Sequence, residues 1–185
     1  MIYLNDHIED LELQEVLGKL SPQRLQQLMR FKQERDRKLC AAAYLLLCEG
    51  LRKEYGIMEL PVFEYGKHGK PSIVGHPEIF FNLSHCREAA ICAIANRPVG
   101  VDIESVRHCT DTLMRYVLND AEYDAVKSSP IPQIAFTRIW TQKESLLKLT
   151  GEGLRNDLKG LLPAPYRFTT VVHAERNYVY TLCME

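Results

Sequence analysis

The sequence predicts an α+β fold arranged as two α/β lobes, and three observations carry that prediction. The 185 residues, 46% hydrophobic and 25% charged, can bury a proper core as one compact unit or two small lobes. Two long stretches place apolar residues at helical spacing, one in each half of the chain. Around them lie short runs with the two-residue period of strands, bounded by Gly, Pro and Asn.

Taken in order, the chain starts extended at Ile2 to Leu4. A helix follows around Pro22 to Phe31, and a second, long helix runs through Leu39 to Tyr55. Its opening run, Leu39 to Cys48, is ten apolar residues and fits a buried helix, being too short to span a bilayer. Strand signals lie at Pro61 to Tyr65 and Ile79 to Asn82. The segments Ala89 to Ala95 and Val99 to Glu104 flank the turn Asn96-Arg97-Pro98 and read as a hairpin. Beyond them come helical segments at Leu113 to Leu118 and Asp120 to Lys127. The surest helix, Pro132 to Thr150, is closed by Gly151 and Gly153. Strands near Tyr166 to His173 and Tyr178 to Met184 end the chain. The division is residues 1–98 for the first lobe and 99–185 for the second.

Two motifs carry chemistry. In Gly100-Val101-Asp102-Ile103-Glu104 the alternation puts both carboxylates on one strand face and the apolar residues on the other. A solvated strand face reads the same way. Acids held this close without Lys or Arg between them either stay in water or gather a cation, and oxygen ligands without imidazole or thiolate suit magnesium or manganese. In Trp140-Thr141-Gln142-Lys143-Glu144-Ser145-Leu146-Leu147-Lys148, Glu144 and Lys148 stand four apart on a helix and face the same way. An ordinary surface pair at that spacing contributes only ~0.3–0.5 kcal/mol. This one adjoins the single tryptophan and a dense apolar stripe, which puts it at the edge of a core.

The order Phe81-Asn82-Leu83-Ser84-His85, then the Gly100 strand, then the Trp140 helix resembles the 4'-phosphopantetheinyl transferase superfamily. More narrowly, it is similar to the monomeric class that activates surfactin-type peptide synthetases. Gly66-Lys67-His68-Gly69-Lys70-Pro71 resembles the glycine-lysine-proline segment of that family. The resemblance implies pseudo-duplicated lobes, each a small antiparallel sheet packed on a long helix, with the active site at the lobe interface. It also implies the reaction: transfer of the phosphopantetheine arm of coenzyme A to a serine of an apo acyl or peptidyl carrier protein, releasing adenosine 3',5'-bisphosphate and needing magnesium, with manganese as the alternative ion.

By the same resemblance Asp102, Glu104 and Glu144 match the metal-binding acids. Glu144 also matches the base proposed for the carrier serine, and Lys148 the catalytic lysine near the phosphates. Lys70, Pro71, Ser84, His85, Lys143 and Lys148 are the expected coenzyme A contacts. Arg37 and Lys38, from the basic cluster Arg30, Lys32, Arg35, Arg37 and Lys38, are the expected partners of the 3'-phosphate, although a solvated helix face explains such a cluster equally. Leu154 and Arg155, with Leu113 and Val117, form the expected carrier-protein patch.

A formal net charge of −1 gives no general argument for nucleic acid, and no nucleic-acid motif is present. The first ten residues lack the basic and apolar segments of a secretory signal, and no run reaches a membrane span, so the expectation is a cytoplasmic chain. The six cysteines show no C-x-x-C spacing, and reduced, buried thiols are expected rather than a zinc site. Two other functions use the same residues. A magnesium-dependent nucleotide phosphoesterase would need the three acids, and a non-catalytic coenzyme A or carrier-protein binding module would not need Glu144 and Lys148 together.

Overall fold

The computed structural model describes residues 1–151, 153, 158–161 and 166–185. Its elements are β1 (Ile2–Asn5), α1 (Leu13–Val16), α2 (Pro22–Leu28), α3 (Glu34–Tyr55), β2 (Phe63–Tyr65), β3 (Pro71–Ile73), β4 (Phe80–His85), β5 (Ala90–Ala95), β6 (Val99–Ser105), α4 (Asp111–Val117), α5 (Asp120–Lys127), α6 (Pro132–Thr150), β7 (Arg167–His173) and β8 (Tyr178–Met184). The fold is mixed α and β, with small antiparallel sheets packed on helices. Among the described residues there are two three-stranded sheets, ordered β1-β5-β4 and β6-β8-β7, and the hairpin β2-β3. All strands of the first large sheet precede Pro98, and all strands of the second follow it.

Helix α3 buries Leu39–Tyr44, Leu46, Leu47 and Leu51 against the first sheet. Glu34 and Asp36 in its first turn and Arg52 and Lys53 in its last complement the helix dipole. The chain turns away at Gly56, whose φ of 69° is left-handed. In α6, Pro132 takes the first turn, where its missing N–H leaves no gap, and Gly151 at φ 69° ends the helix.

The expected hairpin between Ala89–Ala95 and Val99–Glu104 does not form. Strand β5 lies in the middle of its sheet, with Ile91 opposite Leu4 on one side and Ser84 on the other, so both of its edges are taken. The turn Asn96-Arg97-Pro98 carries the chain out of the first sheet, and β6 pairs with β8 instead. Central placement is readable in Ala90–Ala95, an unbroken apolar run of the kind that strands buried on both faces show. The strand expected at Ile79 to Asn82 runs on through Ser84 and His85. They are the last two residues of β4, opposite Ile91 and Ala90.

The glycine-lysine-proline segment forms the turn of the β2-β3 hairpin, closed by Gly66 N–H donating to the Lys70 carbonyl at 3.0 Å. The Val99, Val101 and Ile103 face of β6 packs with Ile91 and Ala93 of the first sheet, so the two sheets share a core. All six cysteines are free thiols, and all but Cys48 are buried.

Candidate active site

Gly100 sets the geometry of the site. A Cβ there would fall 2.0 Å from the Ser145 carbonyl oxygen and 2.6 Å from the Leu149 nitrogen, so β6 lies on α6 closer than any side chain allows. The same strand face carries Asp102 and Glu104, and the same region of α6 carries Glu144 and Lys148, one turn apart. Close packing therefore brings the three expected acids and the lysine into one neighbourhood.

Lys148 Nζ donates to Asp102 Oδ1 at 2.6 Å and to Ser84 Oγ at 2.8 Å. Ser84 Oγ in turn donates to Asp102 Oδ1 at 2.9 Å and accepts from the Ile103 amide at 3.4 Å. Asp102 is 3% exposed, and its second oxygen, Oδ2, is buried with no partner. The acids are electrostatically coupled. Burial, then the Asp102 carboxylate, pushes Glu104 up to about 7, against the opposing pull of Trp140, Arg107 and Lys148. Burial and Asp102 raise Glu144 as well, with Lys148 opposing.

Among the described residues no three His, Cys, Asp or Glu side chains are grouped closely enough to hold a metal ion between them. The carboxylates share a field without converging on one point. The donor set still suits a hard divalent cation, because Asp102 presents a buried oxygen that nothing satisfies and its two neighbours are acids that Asp102 discourages from ionising.

Two cavities border these residues, and another adjoins one of the two. One of about 260 Å³ is lined by Lys70, Pro71, Asn82, Glu144 and Lys148. A second, of about 250 Å³, shares Pro71 and Leu83 with the first and adds Arg24, Gln27, Tyr65 and His85. A third, of about 340 Å³, lies on the Glu104 side, with Arg107, His108, Phe136 and Trp140.

The remaining expected contacts divide. Pro71 and Lys148 line the first cavity. Lys70 lines it too, but its ammonium donates to the Leu149 carbonyl at 2.6 Å, tying down the end of α6. His85 lines the second cavity. Although the residue is exposed overall, its ring lies on the cavity wall, and the partial loss of water there, with the Lys148 and Arg24 cations, holds it below the usual imidazole range.

Four expectations are corrected. Lys143 is 1% exposed and spends its three donors on the Val117 carbonyl (2.9 Å), the Leu158 carbonyl (2.8 Å) and Glu122 Oε2 (2.7 Å), so it is a core anchor and not a phosphate contact. The Ser84 hydroxyl is also fully engaged, with one bond donated and two accepted. Arg37 Nε donates to the Phe31 carbonyl, and Lys38 Nζ to the Glu9 carbonyl beside Glu34, so neither side chain points into the cavities described. Val117 is fully buried and offers no docking surface, whereas Leu113 and Tyr116 on α4 are exposed. Leu154 and Arg155 lie outside the described residues.

The cation missed by the sequence reading is Arg24. It is 8% exposed, with its guanidinium 5.1 Å above the Tyr44 ring and 5.6 Å from that of Phe63. Its Nε has no partner, NH1 has only Cys40 Sγ at 3.6 Å, and among the described residues no carboxylate pairs with it. A buried guanidinium at a cavity wall without a carboxylate partner suits an anion. The signal was available: Leu20, Arg24 and Leu28 are four apart, so an arginine sits in an apolar stripe.

Residues 98–182 match the family model of the 4'-phosphopantetheinyl transferase superfamily. The chain is 26% identical over 156 residues to 4'-phosphopantetheinyl transferase Sfp of Bacillus subtilis (strain 168), covering 83% of this chain and 70% of that protein. It is 32% identical over 152 residues to 4'-phosphopantetheinyl transferase HetI of Nostoc sp., covering 77% and 64%. With 4'-phosphopantetheinyl transferase gsp of Aneurinibacillus migulanus it shares 34% over 117 residues, covering 59% and 48%. With the ordered FNLSH, Gly100 and Trp140 motifs assembled around three carboxylates and a lysine, the chain is similar to the 4'-phosphopantetheinyl transferase superfamily and to its Sfp-type members, and is of that enzyme class.

Proposed function

We propose that this chain transfers the 4'-phosphopantetheine arm of coenzyme A to a serine of an apo acyl or peptidyl carrier protein, releasing adenosine 3',5'-bisphosphate. The observation that carries the reading is Lys148, bonded to Asp102 and Ser84, with Glu144 beside it and cavities on either side. Arg24 and His85 suit the 3'-phosphate, the first cavity the rest of the nucleotide, and the Glu104 cavity the pantetheine side.

The serine hydroxyl attacks the phosphorus that bears pantetheine. An oxygen–phosphorus bond forms, the pyrophosphate bridge breaks, and the bridging oxygen leaves with the adenosine bisphosphate. Glu144, raised by burial, is a better proton acceptor than a solvated carboxylate and takes the serine proton. Lys148 lines the first cavity with one donor beyond the two bonds it makes, and stabilises negative charge on the departing oxygen. Asp102, Glu104 and Glu144 would hold magnesium or manganese, which supplies charge neutralisation at the pyrophosphate. Exposed Leu113 and Tyr116, together with Leu154 and Arg155, serve the carrier protein. The reading carries with it lobes at 1–98 and 99–185 related by duplication, and a monomeric, cytoplasmic enzyme.

Intact-mass spectrometry tests it. Apo carrier protein with coenzyme A, magnesium and this chain should gain the mass of one phosphopantetheine arm, and the Glu144→Gln variant should abolish the gain. Phosphate release without a mass gain points instead to a phosphoesterase, and coenzyme A binding without either points to a binding module.

A further inference from the structure

Strand β4 is an edge of the first sheet and β6 an edge of the second, and the two lie side by side without backbone pairing. The Val101 and Ile103 amides of β6 are at this seam, on residues that are fully buried. A buried amide requires an acceptor. Both are met by side chains: Asn82 Oδ1 accepts from Val101 N–H at 2.9 Å and Ser84 Oγ from Ile103 N–H at 3.4 Å. Asn82 and Ser84 are two apart on one face of β4, as Val101 and Ile103 are two apart on β6, so the spacing of a strand is matched by side chains rather than by a ladder.

We propose that Asn82 and Ser84 are positioning residues that stitch the two sheets together, and that Ser84 fixes the orientation of Asp102. Ser84 and Lys148 both engage Oδ1, which leaves Oδ2 as the free, buried oxygen. Asp102 sits between the two stitched amides, so its carboxylate is held at both its backbone and its side chain. The inference rests on the reading of Asp102 as the cation-binding acid given above, and it moves Ser84 from contacting phosphate to aiming the group that does.

The test uses the full chain with Mn²⁺ alone as the probe, titrated by calorimetry without coenzyme A or carrier protein. Trp140, the single tryptophan, lines the Glu104 cavity and reports on the site by its emission. Ser84→Ala should weaken Mn²⁺ binding roughly 10–100-fold, as loss of a group that orients a ligand does, and Ser84→Thr should restore most of it. Asn82→Leu should shift the Trp140 emission and lower the melting temperature, and Asn82→Asp, which keeps an acceptor for Val101 N–H, should reverse both. A folded Ser84→Ala variant that binds Mn²⁺ as the wild type does would overturn the proposal, as would failure of the threonine to restore binding. Wild type that binds no Mn²⁺ overturns the cation reading and this inference together. Wild type that binds Mn²⁺ but transfers nothing sinks only the transferase reading, since the binding comparison still decides the role of Ser84.

Discussion

Replacing Gly100 with alanine adds one methyl group at the tightest contact in the molecule. The new carbon would lie 2.0 Å from the Ser145 carbonyl oxygen, 2.6 Å from the Leu149 nitrogen and 2.9 Å from the Leu149 Cβ. Two of these three atoms are backbone of α6, so no rotamer change relieves the clash. Reaching an ordinary separation near 3.4 Å requires β6 and α6 to part by about 1.4 Å at that point. Overpacking a core costs about 1–3 kcal/mol, and a clash with helix backbone belongs at the top of that range. For a chain of this size ~3 kcal/mol lowers the melting temperature by roughly 6–12 °C. The loss of activity should exceed the loss of stability. A displacement of ~1 Å of a reacting group can cost on the order of 100-fold in rate, and Asp102 and Glu104 ride on the displaced strand. Gly18→Ala is the matched control, because a Cβ there meets nothing within 4 Å. The assays are a thermal melt and kcat at saturating coenzyme A and carrier protein, at a temperature where both variants are folded. A Gly100→Ala variant that melts with the control and turns over normally would refute the argument that this contact sets the distance between the acids.

Three further outcomes follow from the same geometry. Lys143→Met leaves Glu122 and two buried carbonyls without their cation and should destabilise the fold by about 3–5 kcal/mol; because the lysine faces away from the cavities, coenzyme A KM in the folded variant should stay within a factor of about two, and a selective rise in KM would return Lys143 to the phosphates. Arg24→Gln should raise the KM for coenzyme A roughly 10–100-fold while barely changing that for 3'-dephospho-coenzyme A, whereas Arg37→Ala and Lys38→Ala should leave the ratio of the two unchanged; steady-state kinetics on both substrates decides it. In metal-free protein Glu104 titrates near 7 against 4.5 for the ordinary group, so the folded state holds a proton that the unfolded chain has released; this contribution to stability is fully present below about pH 4.5 and is lost as pH rises through 7. Denaturant titrations from pH 5 to 8 in a chelator should show that decline in the wild type and a flatter profile in Glu104→Gln.

Much of this molecule is legible from local pattern. Helices α5 and α6 and strand β8 begin and end where spacing, caps and turn residues put them, because each signal lies within the element itself. Partner choice is not local. Nothing between Ala95 and Val99 says that β5 is already bracketed by β1 and β4, so a short turn between two strands reads as a hairpin when the strands belong to different sheets. The same limit applies to the lysines flanking Glu144. Lys148 is one turn on and shares its face, whereas Lys143 is about 100° away and falls on the side packed toward α4 and α5. Clustered basic residues draw attention in a sequence, but Arg37 and Lys38 bind carbonyls of their own surroundings, and the guanidinium that is buried without a carboxylate partner among the described residues is that of Arg24.

The site departs from the consistency found elsewhere in the fold, and the departures point one way. The chain holds two carboxylates in the field of a third, raises both of them, leaves one oxygen of the third unsatisfied, and buries a guanidinium without a counterion among the described residues. Each is unfavourable in the free protein, and each would be removed by a molecule that brings both a cation to the acids and an anion to the arginine. A metal ion alone relieves only the first group, and a phosphate alone only the second. A phosphate ester carrying its own divalent ion relieves both at once, with Lys148, fixed by Ser84 and Asp102, standing between them. Arg24 lines the second cavity and Lys148 the first. Under the proposed reading, a ligand that engages both Arg24 and Lys148 carries two separate charged groups, as coenzyme A does and a simple phosphomonoester does not.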